Sequence, residues 1–258
     1  MGTIWMDAHC HLSDSAFDND REALYAELLA NDIHGLVLAG TDPEDWQKQS
    51  ALTLPAPLRI AKVFGIHPWN VDDMTPTELS RAVDQLEKSL GECHGLGEMG
   101  LDYYRAKTTE ERAKHKLWFD RQLELAKGRD HPLILHIVKA HHDSIPQLKR
   151  HQKSFRGLIH SFWAHPDVAR SYIDMGFLLS IPPRIMKEDP HQILKLLDPE
   201  SLVFETDTPF KNASGDIMKP VLIHPMLEYI AAARGEALDI AVARQARLLS
   251  NLFPILKG

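Results

Sequence analysis

The feature that most constrains this chain is an alternation of short apolar runs with helical segments. The runs cover residues 4–6, 35–39, 59–65, 94–97, 132–137, 157–162, 176–181 and 201–207. Segments with helical spacing or helix-start signals lie between them, at about 20–31, 42–54, 75–90, 109–127, up to 151, 166–175 and 191–197, and two more follow at about 221–234 and 237–249. Asp42-Pro43 reads as a cap followed by Pro in the first turn, and Thr75 with Glu78 as a capping box. The run Pro132-Leu133-Ile134-Leu135-His136-Ile137 is almost continuously apolar, as in a strand buried on both faces. Strict strand–helix alternation implies a parallel sheet. Eight such units in 258 residues, with no linker or shift in composition, point to one (β/α)8 TIM barrel spanning residues 1–258. An open doubly wound sheet is the rival. It would be favoured by a Gly-rich phosphate loop after the first strand, where this chain carries His9-Cys10-His11 instead.

In a barrel of this kind the active site lies at the C-terminal ends of the strands. Read in order, those ends offer His9 and His11, then Glu98 after the fourth run, His136 in the fifth, His160 in the sixth and Asp207 at the eighth. Residues two apart on a strand share a face, so His9 and His11 can present two imidazoles side by side. Taken singly, each residue has an ordinary explanation, as a hydrogen-bonded core histidine, a turn acid or a helix cap. Taken together, six ionisable groups at corresponding ends of buried strands need a compensating partner. Four imidazoles and two carboxylates suit zinc, manganese or a similar divalent ion, whereas magnesium prefers more oxygen. Six ligands exceed the three that hold a single catalytic zinc, which favours two ions about 3.5–4 Å apart with Glu98 bridging them.

The bulk properties narrow the setting. Net charge is −7, so no overall positive field draws in nucleic acid, and phosphate binding needs a metal or a few local cations. No apolar run approaches the length of a membrane span, and the N-terminus lacks the basic and apolar regions of a signal peptide. Cys10 and Cys93 are the only cysteines, which suits a reducing compartment. The expectation is a cytoplasmic protein with no membrane partner. The lack of an obvious sticky stripe points to a monomer.

Six blocks of the chain resemble the signatures of TatD-like metal-dependent deoxyribonucleases, within the amidohydrolase-type barrel superfamily. They are Asp7-Ala8-His9-Cys10-His11-Leu12, Gly65-Ile66-His67-Pro68, Gly97-Glu98-Met99-Gly100-Leu101-Asp102, Leu135-His136, Ile159-His160-Ser161-Phe162 and Glu205-Thr206-Asp207-Thr208-Pro209. The resemblance implies a barrel with two divalent ions (Zn, Mn or Mg) that hydrolyses DNA phosphodiesters. It also implies that His9, His11, Glu98 and Asp207 hold one ion and Glu98, His136 and His160 the other, with His67 near the scissile phosphate. Asp207 and Glu98 then carry the chemistry, Asp207 as general base on an activated water. Lys139 and Arg184 are candidate substrate contacts, and Glu205 a support for a ligand histidine. Trp69, Tyr103, Tyr104 and Phe210 are candidates for base stacking.

The rim departs from the family pattern. Ile137-Val138-Lys139 stands where a Ser-Arg pair usually follows the fifth-strand histidine. Ala164-His165 replaces a Gly-Ser turn, and Ile181-Pro182-Pro183 follows Ser180 where glycines are usual. The family's stretch after the eighth strand is not recognisable around Lys219-Pro220. An intact metal core with a changed rim leaves a second expectation, a hydrolase of a small carboxylic or phosphoric ester. A binding protein that keeps the fold without catalysis is the third.

Overall fold

Each apolar run folds as a strand because its side chains can be covered on both faces, and the order of runs becomes the order of strands. A computed structural model describes residues 4–151, 155–189 and 191–257. Its strands are β1 (Trp5–Cys10), β2 (Ile33–Ala39), β3 (Arg59–Phe64), β4 (Gly95–Asp102), β5 (Leu133–Val138), β6 (Gly157–His160), β7 (Phe177–Ile181) and β8 (Leu202–Phe204). All pair in parallel, each with the next, in one sheet of order β1 to β8. Helices follow the strands and cover the outside, as in a (β/α)8 barrel.

The core has two layers. The larger lies between sheet and helices and includes Leu36, Leu38, Leu96, Leu135 and Leu179 with Phe119, Tyr172 and Leu227. The smaller joins Met6, Ala8, Val37, Ala61, Val63, Ile134, Leu158 and Val203 to Leu252, Phe253 and Leu256 of the C-terminal segment. Phe253 lies against Gly95, at the start of β4, so this segment closes the end of the barrel opposite the strand C-termini.

Between β8 and β1 the barrel is closed largely by side chains. Among the described residues two backbone bonds span this seam, from Asp207 N to His9 O (2.9 Å) and from His11 N to Thr208 O (2.7 Å). Below them, Gln245 on helix Leu238–Leu252 accepts from Phe204 N and donates to the carbonyls of Met6 and Phe204. Asp7 accepts from Thr206 N and from the Thr206 hydroxyl. These contacts satisfy strand edges that would otherwise be buried unpaired.

Some boundaries differ from the sequence reading, for local reasons. β4 continues through Glu98 to Asp102, with a register shift between Leu96 and Met99. Gly97 sits there at φ 141°, and a Cβ would come within 2.3 Å of the Ile134 carbonyl, so only glycine allows β5 this close. β8 is shorter than expected and ends at Phe204, before Glu205 and Asp207. Pro68–Asp73 forms an additional helix, for which the sequence reading gave no element, capped by the His67 side chain accepting from Trp69 N.

Candidate metal centre

The side chains anticipated at the strand ends converge on one point at the mouth. Glu98 is at the middle of the cluster and is buried. One carboxylate oxygen, Oε2, lies 3.3 Å from His9 Nε2 and 3.9 Å from His11 Nε2. The other, Oε1, lies 2.7 Å from His136 Nδ1, 3.3 Å from His67 Nε2 and 3.7 Å from His160 Nε2. Asp207 faces His9 and His11 through Oδ1 at 3.6 and 3.5 Å, and His160 through Oδ2 at 3.8 Å. It is held there with φ 56°, a left-handed conformation that Asp tolerates better than most residues.

Three of the imidazoles have the nitrogen away from the cluster engaged, which fixes their orientation. His11 Nδ1 donates to the Ala39 carbonyl at 3.1 Å. His160 Nδ1 lies 2.9 Å from a Glu205 oxygen, which also accepts from Ser161 N. His136 Nε2 faces Asp102 at 3.3 Å, and the same Asp102 oxygen accepts from Trp69 Nε1 at 2.7 Å. Each ring is thereby left with its other nitrogen directed at Glu98 or Asp207, the arrangement that orients metal-ligating histidines.

The electrostatics follow from this crowding. Burial lowers the pKa of His9 and brings that of His67 down to about 4. For His11 and His160 burial also works downwards. The facing carboxylates outweigh it, Asp207 at His11 and Glu205, Glu98 and Asp207 at His160, giving about 9 and about 10. Burial works upwards on Glu98 and Asp207, but the surrounding imidazoles hold both below the usual carboxylate range.

The cluster fits divalent metal. His9 is fully buried, yet neither ring nitrogen has a hydrogen-bond partner among the described residues, and one oxygen of buried Glu205 is also unpaired. An uncompensated imidazole at that depth is costly unless a cation meets it. Three sets of donor atoms lie close enough to share an ion, namely His9, His11 and Asp207, then His9, Glu98 and His160, then His67, Glu98 and His136. Two of these sets share Glu98, one with His9 and His160 and the other with His67 and His136, while the remaining one joins His9 and His11 to Asp207; His160, expected from sequence beside His136, groups with His9 instead. His67, expected from sequence only beside the phosphate, is part of the set with His136.

A cleft of about 510 Å³ opens above the cluster, lined by Trp69, Asn70, Ile137, Ser161 and Phe210 among others. The remaining expected contacts are dispersed. Lys139 lies outside this lining, its ammonium over the Tyr104 ring at 5.1 Å. Arg184 lines a neighbouring lobe and stacks on Trp163 at 3.7 Å. Trp69 and Tyr104 are exposed, but Tyr103 is buried with its hydroxyl on Asp143 and has no face free for stacking. Sequence reading missed the roles of Asp102, Asp7 and Gln245. Asp102 was the detectable one, a carboxylate ending the same apolar strand as Glu98.

Comparison with known proteins agrees with this geometry. The family model described as TatD related DNase matches residues 6–253. The chain belongs to that family. Human deoxyribonuclease TATDN3 is 28% identical over 267 residues, covering 99% of this chain and 97% of its own. The Escherichia coli metal-dependent hydrolase YjjV is 28% identical over 211 residues, 80% of this chain and 79% of its own. Among solved structures, E. coli YjjV superposes with a TM-score of 0.83 at 23% identity, covering 97% of this chain and 98% of that one. A TatD family hydrolase from Entamoeba histolytica does so with 0.83 at 15% identity, covering 98% and 99%. The chain is a metal-dependent hydrolase of the TatD family with a binuclear candidate site.

Proposed function

We propose that this hydrolase cleaves phosphodiester bonds of DNA. The observation that carries the reading is the shared carboxylate of Glu98 between two groups of imidazoles, at the floor of an open cleft with exposed aromatic walls. Two ions held there would supply a hydroxide at neutral pH and neutralise charge on the phosphate. Asp207 is the only half-buried member of the carboxylate pair and faces both His11 and His160. It is placed to take the proton of the attacking water and to return one to the leaving oxygen.

His67 has a separate role in this reading. Its Nδ1 accepts from Trp69 N. Its pKa of about 4 keeps the ring neutral, so the remaining proton is on Nε2. A neutral donor facing the cluster suits a hydrogen bond to a phosphate oxygen rather than ligation. Glu205 and Asp102 hold His160 and His136 in register. Lys139 and Lys107, both over Tyr104, and Arg105 over Trp69 put positive charge beside the exposed rings, as a stacked, charged strand would require.

A small carboxylic or phosphoric ester is the second reading. It is favoured by the acidic group Asp14, Asp42, Glu44 and Asp45 flanking His11, which repels a long polyanion on that side. We further place the protein in the cytoplasm as a monomer of one domain. Both cysteines are buried and unpaired, and no helix among the described residues is long and apolar enough to cross a membrane.

The test is hydrolysis of a labelled single-stranded oligonucleotide by metal-stripped protein with magnesium, manganese or zinc restored. Metal-dependent shortening that is lost in Asp207→Asn supports the DNA reading. No cleavage with any metal moves the assignment to the small ester.

A further inference from the structure

A second lobe, of about 460 Å³, continues the cleft on the far side of Asp207. It shares Ser161, Asp207 and Phe210 with the pocket over the metal cluster. Its walls are the rings of Pro182, Pro183 and Phe210 with the side chains of Met186, Met218 and Leu222. Arg184 and Lys187 add two positive charges. These walls come from the segment after β7 and the segment after β8, two of the stretches where the sequence departs from the family pattern.

The lobe is built rather than incidental. Pro182-Pro183 leads into a short 3-10 turn, Pro183–Met186, whose Ile185 is fully buried and anchors it. The opposite wall is a small closed loop. Met218 N donates to the Phe210 carbonyl at 2.8 Å, Lys211 bridges Ile217, and the Asn212 side chain accepts from Ser214 N and Asp216 N. The Arg184 guanidinium is stacked on Trp163 and has no carboxylate within 4 Å among the described residues, so its N–H groups are not committed to an ion pair.

We propose that this lobe is a subsite for one unpaired nucleobase of the substrate, with the next phosphate of the strand on Arg184 and Lys187. The inference rests on the phosphodiesterase reading and names what lies beside the scissile group. Flat proline and phenylalanine rings and polarisable thioethers match the face of a planar heterocycle, which every base offers. Two cations at the same lobe match a phosphate, and a neutral acyl chain would leave them without a partner. The Asn212 amide is spent within its own loop, so no side-chain amide is free to read the base edge. The subsite therefore accepts all four bases.

The test separates the subsite from the chemistry. Binding of thymidine 5′-phosphate and of the methyl glycoside of 2-deoxyribose 5-phosphate to the manganese-loaded protein is compared by calorimetry, since the second keeps the closed sugar phosphate and carries a methoxy group in place of the base. The expected result is a Kd at least about tenfold lower for the nucleotide. Met218→Asp, a change on a half-buried loop wall, should reduce that advantage to within about twofold. Arg184→Gln should weaken a dinucleotide more than the mononucleotide. Equal affinity for nucleotide and sugar phosphate overturns the subsite, as does an advantage untouched by Met218→Asp. Hydrolysis of methyl p-nitrophenyl phosphate, run alongside, reports on the chemistry alone. Turnover without base preference removes the subsite and keeps the phosphodiesterase reading, whereas base preference without turnover does the reverse.

Discussion

Replacing Gln245 with leucine should weaken both the fold and the metal site, because Gln245 closes the barrel where ligands from its two ends meet. The residue is buried, and its amide makes three bonds of 2.8–2.9 Å, to Phe204 N and to the carbonyls of Met6 and Phe204. Leucine fills a similar volume but leaves all three backbone groups without that partner. An unsatisfied buried group costs about 1–3 kcal/mol, so three near the middle of that range cost about 6 kcal/mol, and the apolar burial that leucine adds, about 2 kcal/mol, brings the loss to about 4 kcal/mol. That is a large share of the roughly 5–15 kcal/mol available to a domain. Urea unfolding of the metal-stripped protein at pH 7 reads this directly. Arg247→Ala on the same helix is the control, since its pair with Glu200 is exposed and worth at most about 1 kcal/mol. The seam also sets His9 and His11 of one end against Asp207 of the other. Manganese affinity measured by calorimetry should therefore fall by at least about tenfold in the leucine variant. A stability loss below about 1 kcal/mol with unchanged manganese affinity would refute the seam argument.

Other perturbations probe the site and its surroundings. Glu205→Gln keeps the shape but removes the charge facing His160 Nδ1, and metal affinity in a chelator competition should drop about 10–100-fold with the fold intact; unchanged affinity would show that Glu205 does not orient the ring. Asp207→Asn should cut turnover by at least about 100-fold without altering the far-ultraviolet circular dichroism, and near wild-type activity would remove its role as base. His141 lies against Tyr172, and burial lowers its pKa to about 4 from the ordinary 6.5. The unfolded chain then binds the extra proton first, so this contribution is present above about pH 6.5 and is lost as pH falls towards 4, up to about 3 kcal/mol. His141→Gln should flatten that part of the stability profile in urea unfolding at pH 7, 5.5 and 4.5, and an unchanged slope would count against it.

The strand order and the residues of the centre were legible because they follow from local patterns. Buried parallel strands are runs of apolar side chains, and an ionisable residue at the end of such a run stands out against them. His136, His160, Glu98 and Asp207 were visible for that reason. The seam was not legible, since it depends on Gln245 meeting Met6 across 239 residues of chain. No periodicity marks a glutamine on one helix as the partner of two strand edges. The extent of β4 was missed because Gly97 and Gly100 look like turn residues in sequence, whereas here they permit close approach of β5. Tyr103 was misjudged for the opposite reason. Proximity in sequence to a strand end says nothing of which way a loop side chain turns, and Tyr103 turned inward to Asp143.

The same distinction explains how one chain can keep its chemistry and change its substrate. Ala39, Asp102 and Ser161, which brace the ligand rings or their partners, lie on strands or within one residue of their ends. They are fixed by the barrel itself, and moving any of them disturbs packing on both sides of the sheet. The walls of the second lobe belong to segments beyond β7 and β8, whose backbone bonds are mostly internal to each segment. Substitutions such as Pro182-Pro183 can therefore reshape the lobe without displacing His160 or Asp207. On this argument selection on substrate acts through those two segments, and variants confined to them should alter KM between substrates before they alter metal affinity.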